Sequence, residues 1–307
     1  MFGQSADRGA LDYAAMVTPK QVLLGALVTV AVAFTVFWIV AARRHRTERG
    51  GPTSLGIAIG FVTNFFDTLG IGSFATTTTI YRLRNLVADQ KIPGTLNVGH
   101  AWPTFVQAFI YTQIVDVQFN TLALLILAAV AGSWIGATIV AGWPRRNIQV
   151  GMGFALLAAA VLMVMTALNL FPGGGEELGL HGGKLLIGIA VNFMLGALMT
   201  LGIGAYAPCM IMVSLLGMNP TAAFPIMMGS CAFLMPAASA QFIRKEKYDL
   251  PASIGLALGG IPAVIIAALI VRSLPLAYVR WLVVVVVIYT AVMMLWSAAA
   301  ERVTVSR

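Results

Sequence analysis

Asp67 is the residue of this chain whose type and surroundings are best suited to chemistry. It stands in Phe65-Phe66-Asp67-Thr68-Leu69-Gly70, with apolar neighbours on both sides and no basic residue near it in sequence. A carboxylate in such a run is costly unless it is paired or protonated. Three roles fit it: taking up and releasing a proton, ligating a cation, or accepting backbone N–H groups where a helix breaks. His100 is the second proton-coupling candidate, since imidazole titrates near neutrality. It serves equally well as a hydrogen bonder between helices. Asn64, Asn97, Gln107, Asn192, Ser230 and Ser239 also interrupt apolar runs. They must face protein or a cavity, because lipid offers them no hydrogen bond. Other chemistry is poorly supplied. The three histidines are widely spaced, and Cys209 and Cys231 lie apart in apolar segments, which argues against a metal site or a disulfide. There is no GxxxxGK[ST] loop and no convergent nucleophile and base, so neither a cofactor nor an enzyme is expected.

These side chains flank two unusual segments. Ser54 to Tyr81 and Leu185 to Leu216 are each too long for one comfortable membrane span and too short for two. Each has a glycine-rich break near its middle, Leu69-Gly70-Ile71-Gly72 in one and Leu201-Gly202-Ile203-Gly204 in the other. A break inside hydrocarbon leaves backbone groups unpaired, which is tolerated only inside protein or beside a polar cavity. The second arm of each segment would begin near Ser73 or Ala205. Its free N–H groups and positive dipole end make an anion site that needs no buried Lys or Arg. Gly70, Gly72, Ser73, Thr76 and Thr77 at one break, and Gly202, Gly204, Ala205 and Tyr206 at the other, are the candidate substrate-binding residues, joined by Asn64 and Asn192. The alternative is that the glycines only allow helices to pack closely.

The elements that must hold this site are membrane helices. The chain has 307 residues, 59% hydrophobic and 10% charged, with a mean hydropathy of +0.90; a soluble domain carries about 25% charged residues. Spans are expected at 22–42, 95–114, 121–141, 150–170, 221–242, 252–271 and 279–298. The net charge of +8 lies in short loops between these runs, which argues for orientation in a bilayer rather than for nucleic acid.

The two broken segments also expose an internal repeat. At a shift of 132 residues, Thr68–Gly72 falls on Thr200–Gly204 without a mismatch, and Pro93 falls on Pro225. Gly132/Gly136 and Gly255/Gly259 follow in the two halves. If each broken segment is a re-entrant hairpin, the Lys and Arg residues divide fourteen against five across the membrane; if each crosses once, ten against nine. The positive-inside bias therefore favours hairpins, with the N-terminus periplasmic and the C-terminus cytoplasmic. Three spans per repeat then invert the second repeat relative to the first, a common plan for secondary transporters. The expected fold is all-α and polytopic. Residues 1–50 give an N-terminal helix and basic loop, 51–170 the first repeat and 171–184 a periplasmic linker. The second, inverted repeat is 185–300, and 301–307 is a cytoplasmic tail.

With these motifs in order, the chain resembles the TauE/SafE family, the sulfite exporters and toluenesulfonate uptake permeases. The resemblance runs from about Ser54 to Ala298. It rests on Asn64–Phe74 and Asn192–Tyr206, on Pro93 and Pro225, and on Gly132-x-x-x-Gly136 followed by Pro144. Ser73 and Ala205 replace the last glycine of the family's break, Pro208 follows only the second break, and Asp67 departs from the family pattern. The resemblance implies a secondary transporter of small anions, of the sulfite, thiosulfate or sulfonate class, in a bacterial inner membrane. The resemblance also implies export, as in many members, and coupling to an ion or a proton, with a proton the expected choice here. An anion channel, or a membrane assembly subunit or enzyme, are the rival readings. The small-residue helix at Gly132 would serve a homodimer or internal packing equally.

Overall fold

The computed structural model describes residues 18–44, 50–69, 71–170, 173–202 and 206–270, and within 281–299 the positions 281, 284–285, 287–289, 291–296 and 298–299. Residues 1–17, most of the basic loop beyond Arg44, parts of the span expected at 279–298 and the tail 301–307 lie outside this description. The described residues form helices and their connections, with no strand among them. In chain order these are α1 (Pro19–Arg44), α2 (Ser54–Thr68), α3 (Ser73–Arg84), α4 (Ile92–Ile114), α5 (Phe119–Val140) and α6 (Arg145–Ala167). After the linker come α7 (Gly182–Met199), α8 (Tyr206–Leu215), a 3-10 turn (Pro220–Ala222), α9 (Ala223–Arg244) and α10 (Leu250–Ile270).

Both long segments are broken where the glycines predict. The Leu69 and Ile71 amides donate to the Phe66 carbonyl at 3.1 and 3.0 Å, closing the end of α2. Gly72 then takes φ 90°, a conformation that L side chains rarely adopt, and the chain enters α3. At the second break the Gly202 amide donates to the Met199 carbonyl at 3.0 Å, and Gly202 has φ 97°. Pro93 sits in the first turn of α4, where no helical N–H is required of it. Left-handed Asn85 ends α3.

Six helices of the described residues are long and apolar enough to cross a membrane: α1, α5, α6, α7, α9 with its 3-10 turn, and α10. The protein is a multi-pass membrane protein. The expected span at 95–114 is helical too, as α4, but it is not among the six. Asn97, His100, Thr104 and Gln107 lower its hydropathy, and all four are buried in the bundle. Large side chains of α1 such as Val28, Val32 and Val36 are more than half exposed, the pattern of a lipid-facing surface.

Contacts fix the relative directions of six of the helices. Gly255 of α10 meets Gly56, Gly259 meets Ile57 and Phe61, and Gly260 meets Asn64, so α2 and α10 run parallel. Thr95 accepts from the Asp249 amide at 2.9 Å, and Gly260 lies against Pro103, so α4 runs with them. In the other half of the bundle, Asn192 of α7 donates to the Leu125 carbonyl of α5 at 2.6 Å, and Gly136 meets Ala197. Ser133 donates to the Leu234 carbonyl of α9 at 3.1 Å, and Gly229 meets Ile126. Thus α5, α7 and α9 share a direction. The two groups oppose one another, because Gly94 meets Phe242 while Tyr111 stacks on Phe224 with ring centroids 5.2 Å apart.

One packing motif occurs twice. A Cβ at Gly132 would strike the Phe193 carbonyl and the Ala197 amide; a Cβ at Gly259 would strike the Ile57 carbonyl and the Phe61 amide. In both places the helix backbones touch directly.

Cations collect at one end of the bundle, where α3 and α9 finish and α4, α6 and α10 begin. Asp89 is the hub. Its side chain is 3% exposed and takes Arg82 at 2.7 Å and Arg145 at 3.2 Å, with Gln149 donating at 2.8 Å. Lys20, at the opposite end of the bundle, donates to the Gln113 carbonyl at 3.0 Å.

Candidate functional site at the first helix break

The site is built from the end of α2, the start of α3 and the middle of α4. The first turn of a helix has N–H groups without intrahelical acceptors. At α3 no side chain of the N-cap residue serves them. Asp67 does so instead: its Oδ1 accepts from the Ser73 amide at 2.7 Å. Gln107 Nε2, on α4, donates to Asp67 Oδ2 and to the Thr68 hydroxyl, both at 3.0 Å. The Tyr111 hydroxyl donates to the Thr68 carbonyl at 2.9 Å. These bonds hold the break shut from the α4 side. Among the described residues no Lys or Arg pairs with Asp67, and the Gln107 Oε1 is buried with no hydrogen-bond partner.

A cavity of about 30 Å³ opens beside this carboxylate, enough for one or two waters at ~10–15 Å³ each. Asp67, Ser73, Thr104 and Gln107 form one wall, and Met199, at the end of α7, with residues of α9 forms the other. Asp67 and Met199 are equivalent positions of the sequence repeat, and here they face the same small volume.

Residues 12–163 match the sulfite exporter TauE/SafE family. Over this stretch the chain belongs to the TauE/SafE family. The match takes in α1, which the sequence resemblance left out by beginning at Ser54, and it ends within α6. The second half of the chain therefore lies beyond the matched residues. Neither a curated protein nor a solved structure matches the chain.

The residues singled out by sequence fall into separate groups. Asp67, Gly72 and Ser73 line the central cavity. Thr76 does not reach it: its hydroxyl turns back to the Gly72 and Ser73 carbonyls at 3.0 and 2.9 Å. Asn64, His100 and Thr77 form a chain of their own across three helices. Asn64 Nδ2 donates to the Gly60 carbonyl at 2.7 Å, which leaves its Oδ1 to accept from His100 Nδ1 at 3.0 Å. His100 Nε2 is hydrogen-bonded to the Thr77 hydroxyl at 3.0 Å. Both imidazole nitrogens are engaged, and the ring is fully buried. Asn192 lies elsewhere, donating to Leu125 and to the Ser230 hydroxyl at 2.6 and 3.0 Å. Gly202 is buried near Thr78 and Leu96. Gly70, Gly204, Ala205 and the Tyr206 side chain lie outside the described residues.

Sequence reasoning missed the opposite wall. Met227, Met228, Cys231 and Met235 of α9 line the cavity with Met199. The spacing 228, 231, 235 puts three of them on one helix face, but in an apolar run such residues look the same as ordinary core. It also passed over Asp89, which in sequence resembles a solvated loop residue.

Proposed function

We propose that this chain is a secondary transporter that carries a small anion of the sulfite or organosulfonate class across a bacterial inner membrane, coupled to proton movement through Asp67. Export is the direction the family's description favours. The observation that carries this reading is the Asp67–Ser73 contact, in a member of the TauE/SafE family. The chain's own carboxylate already occupies the start of α3, where a substrate anion would bind. An incoming anion displaces it, and the displaced carboxylate, deprived of its N–H donor in a buried site, takes up a proton. Anion binding and protonation then favour each other by linkage, so anion and proton cross together and export draws on an outward anion gradient. His100, the other proton-coupling candidate, has both nitrogens committed and is assigned to holding α2, α3 and α4 together.

The architecture proposed for this mechanism is a pair of inverted repeats, 51–170 and 185–300. Its support is the opposed direction of α2 and α7 and the doubled Gly132 and Gly259 contacts. The parallel run of α2 and α4 supports a re-entrant α2–α3 hairpin, since α3 must return the chain to the side it came from. The cation-rich end then faces the cytoplasm and the N-terminus the periplasm.

The test is flux in liposomes of purified protein with an internal pH dye. Sulfite, thiosulfate and sulfoacetate are compared with zwitterionic taurine and with chloride. Saturable flux selective for the sulfur oxyanions is expected, with proton movement that Asp67→Asn abolishes. Proton movement unchanged in that variant would remove Asp67 from coupling. No flux of any anion from folded protein would overturn the transport reading.

A further inference from the structure

The cavity beside Asp67 has one wall that anion transport does not use. Met199, Met227, Met228, Cys231 and Met235, four thioethers and a thiol, line the same small volume as the carboxylate. All five also belong to the hydrophobic core, but here they border Asp67 and Gln107 as well. Cys231 is a free, buried thiol, and its Sγ lies 3.5 Å from the Met199 Sδ. Two sulfurs each ~2.3 Å from one metal and that far apart subtend an angle of about 100° at it, within the range of trigonal and tetrahedral sites. The second observation is an acceptor. Gln107 lines the cavity and its Oε1 is buried with no partner among the described residues, and Asp67 has no basic partner among them. One unpartnered oxygen and a carboxylate without a counter-charge on one side, with sulfurs gathered on the other, call for a cation.

We propose that this cavity is a binding site for a soft monovalent cation, copper(I) in the first instance. Hard cations such as sodium or magnesium require several oxygen ligands, and here the majority of donors are sulfur. Zinc sites draw on Cys, His and carboxylates; among the described residues no three His, Cys, Asp or Glu side chains cluster. Thioethers with a thiol select copper(I). One negative charge shared between Asp67 and Cys231 balances one monovalent ion, and no oxidation state changes on binding.

The experiment uses the full-length protein in nanodiscs, under anaerobic conditions, with copper(I) supplied as its coloured bathocuproine disulfonate complex. The colour should fall by an amount that corresponds to about one copper per chain. X-ray absorption of the loaded protein should show sulfur neighbours. Met199→Leu and Cys231→Ala should each weaken binding roughly ten-fold or more, above or at the level typical of changes in the outer shell of a metal site. Cys209→Ser, outside the cavity lining, should leave the copper bound. Met→Leu conserves volume and shape closely, so Met199→Leu combined with Met228→Leu carries the test where Cys231→Ala fails to fold. Unchanged colour, copper held equally by the double variant, or a coordination shell of oxygen and nitrogen alone would overturn the proposal. The measurement contains no transported anion, so its failure leaves the transport reading standing.

Discussion

A carboxylate that serves a helix start from six residues upstream does two things at once. It satisfies the Ser73 amide, and it places a negative charge where the backbone most attracts one. Its second oxygen depends on Gln107, whose amide also holds Thr68. Gln107→Leu strips both acceptors of their donor. A hydrogen bond to a charged group contributes about 1.5–3 kcal/mol, so thermal unfolding in detergent should show a loss of about that size, with the coupling ratio of protons to anions altered in liposomes. His100 allows a sharper comparison. Leucine there orphans the Asn64 oxygen and the Thr77 hydroxyl, at about 1–3 kcal/mol for each buried group. Glutamine, with one donor and one acceptor, can keep both bonds. His100→Gln should therefore fold like the parent and retain proton-coupled flux, whereas His100→Leu should be markedly destabilised. Loss of coupling in a well-folded His100→Gln would show that the imidazole itself carries the proton.

At several glycines the helices here meet backbone to backbone. At Gly132 and Gly259 even a methyl group would enter a neighbouring backbone. Overpacking of an ordinary core costs about 1–3 kcal/mol because side chains can yield; a backbone yields less. Gly132→Leu and Gly259→Leu should each abolish the monodisperse peak in size-exclusion chromatography, while Gly173→Ala, with nothing within 4 Å, should leave it unchanged. At the cation-rich end, Asp89→Asn removes the charge that binds Arg82 of α3 to Arg145 of α6. Breaking a buried pair from one side costs about 3–5 kcal/mol, so this variant should unfold well below the parent. The helices and both breaks were legible in the sequence because long apolar runs and Leu-Gly-Ile-Gly strings carry local signals. The cross-helix partners were not. Asn64 and His100 are 36 residues apart, and Asp89 and Gln149 are 60 apart; such pairs are set by packing, which no local pattern records. The sulfur wall was hidden for another reason, since Met and Cys are apolar enough to vanish into a hydrophobic segment.

For the molecule as a whole, the distribution of charge makes a prediction about sidedness. With re-entrant hairpins, residue 84 is cytoplasmic and residue 184 periplasmic; with single crossings the two exchange sides. Arg84→Cys and Lys184→Cys, each labelled in intact cells by an impermeant thiol reagent, separate the cases, because Cys209 and Cys231 are buried. Labelling at 184 and protection at 84 until the cells are opened is the expected result; the reverse would sink the hairpin topology and with it the inverted repeat.

The direct backbone contacts also bear on mechanics. A side-chain interface has rotamer slack, but two helices in backbone contact shift together. So α2 travels with α10, and α7 travels with α5. Each of these stiff couples takes one member from each half of the chain. Opening the cavity must then separate the couple that carries Asp67 from the couple that carries Met199. The moving parts are interlaced across the sequence, and cutting the chain at the linker between its halves would not divide it into its two working bodies.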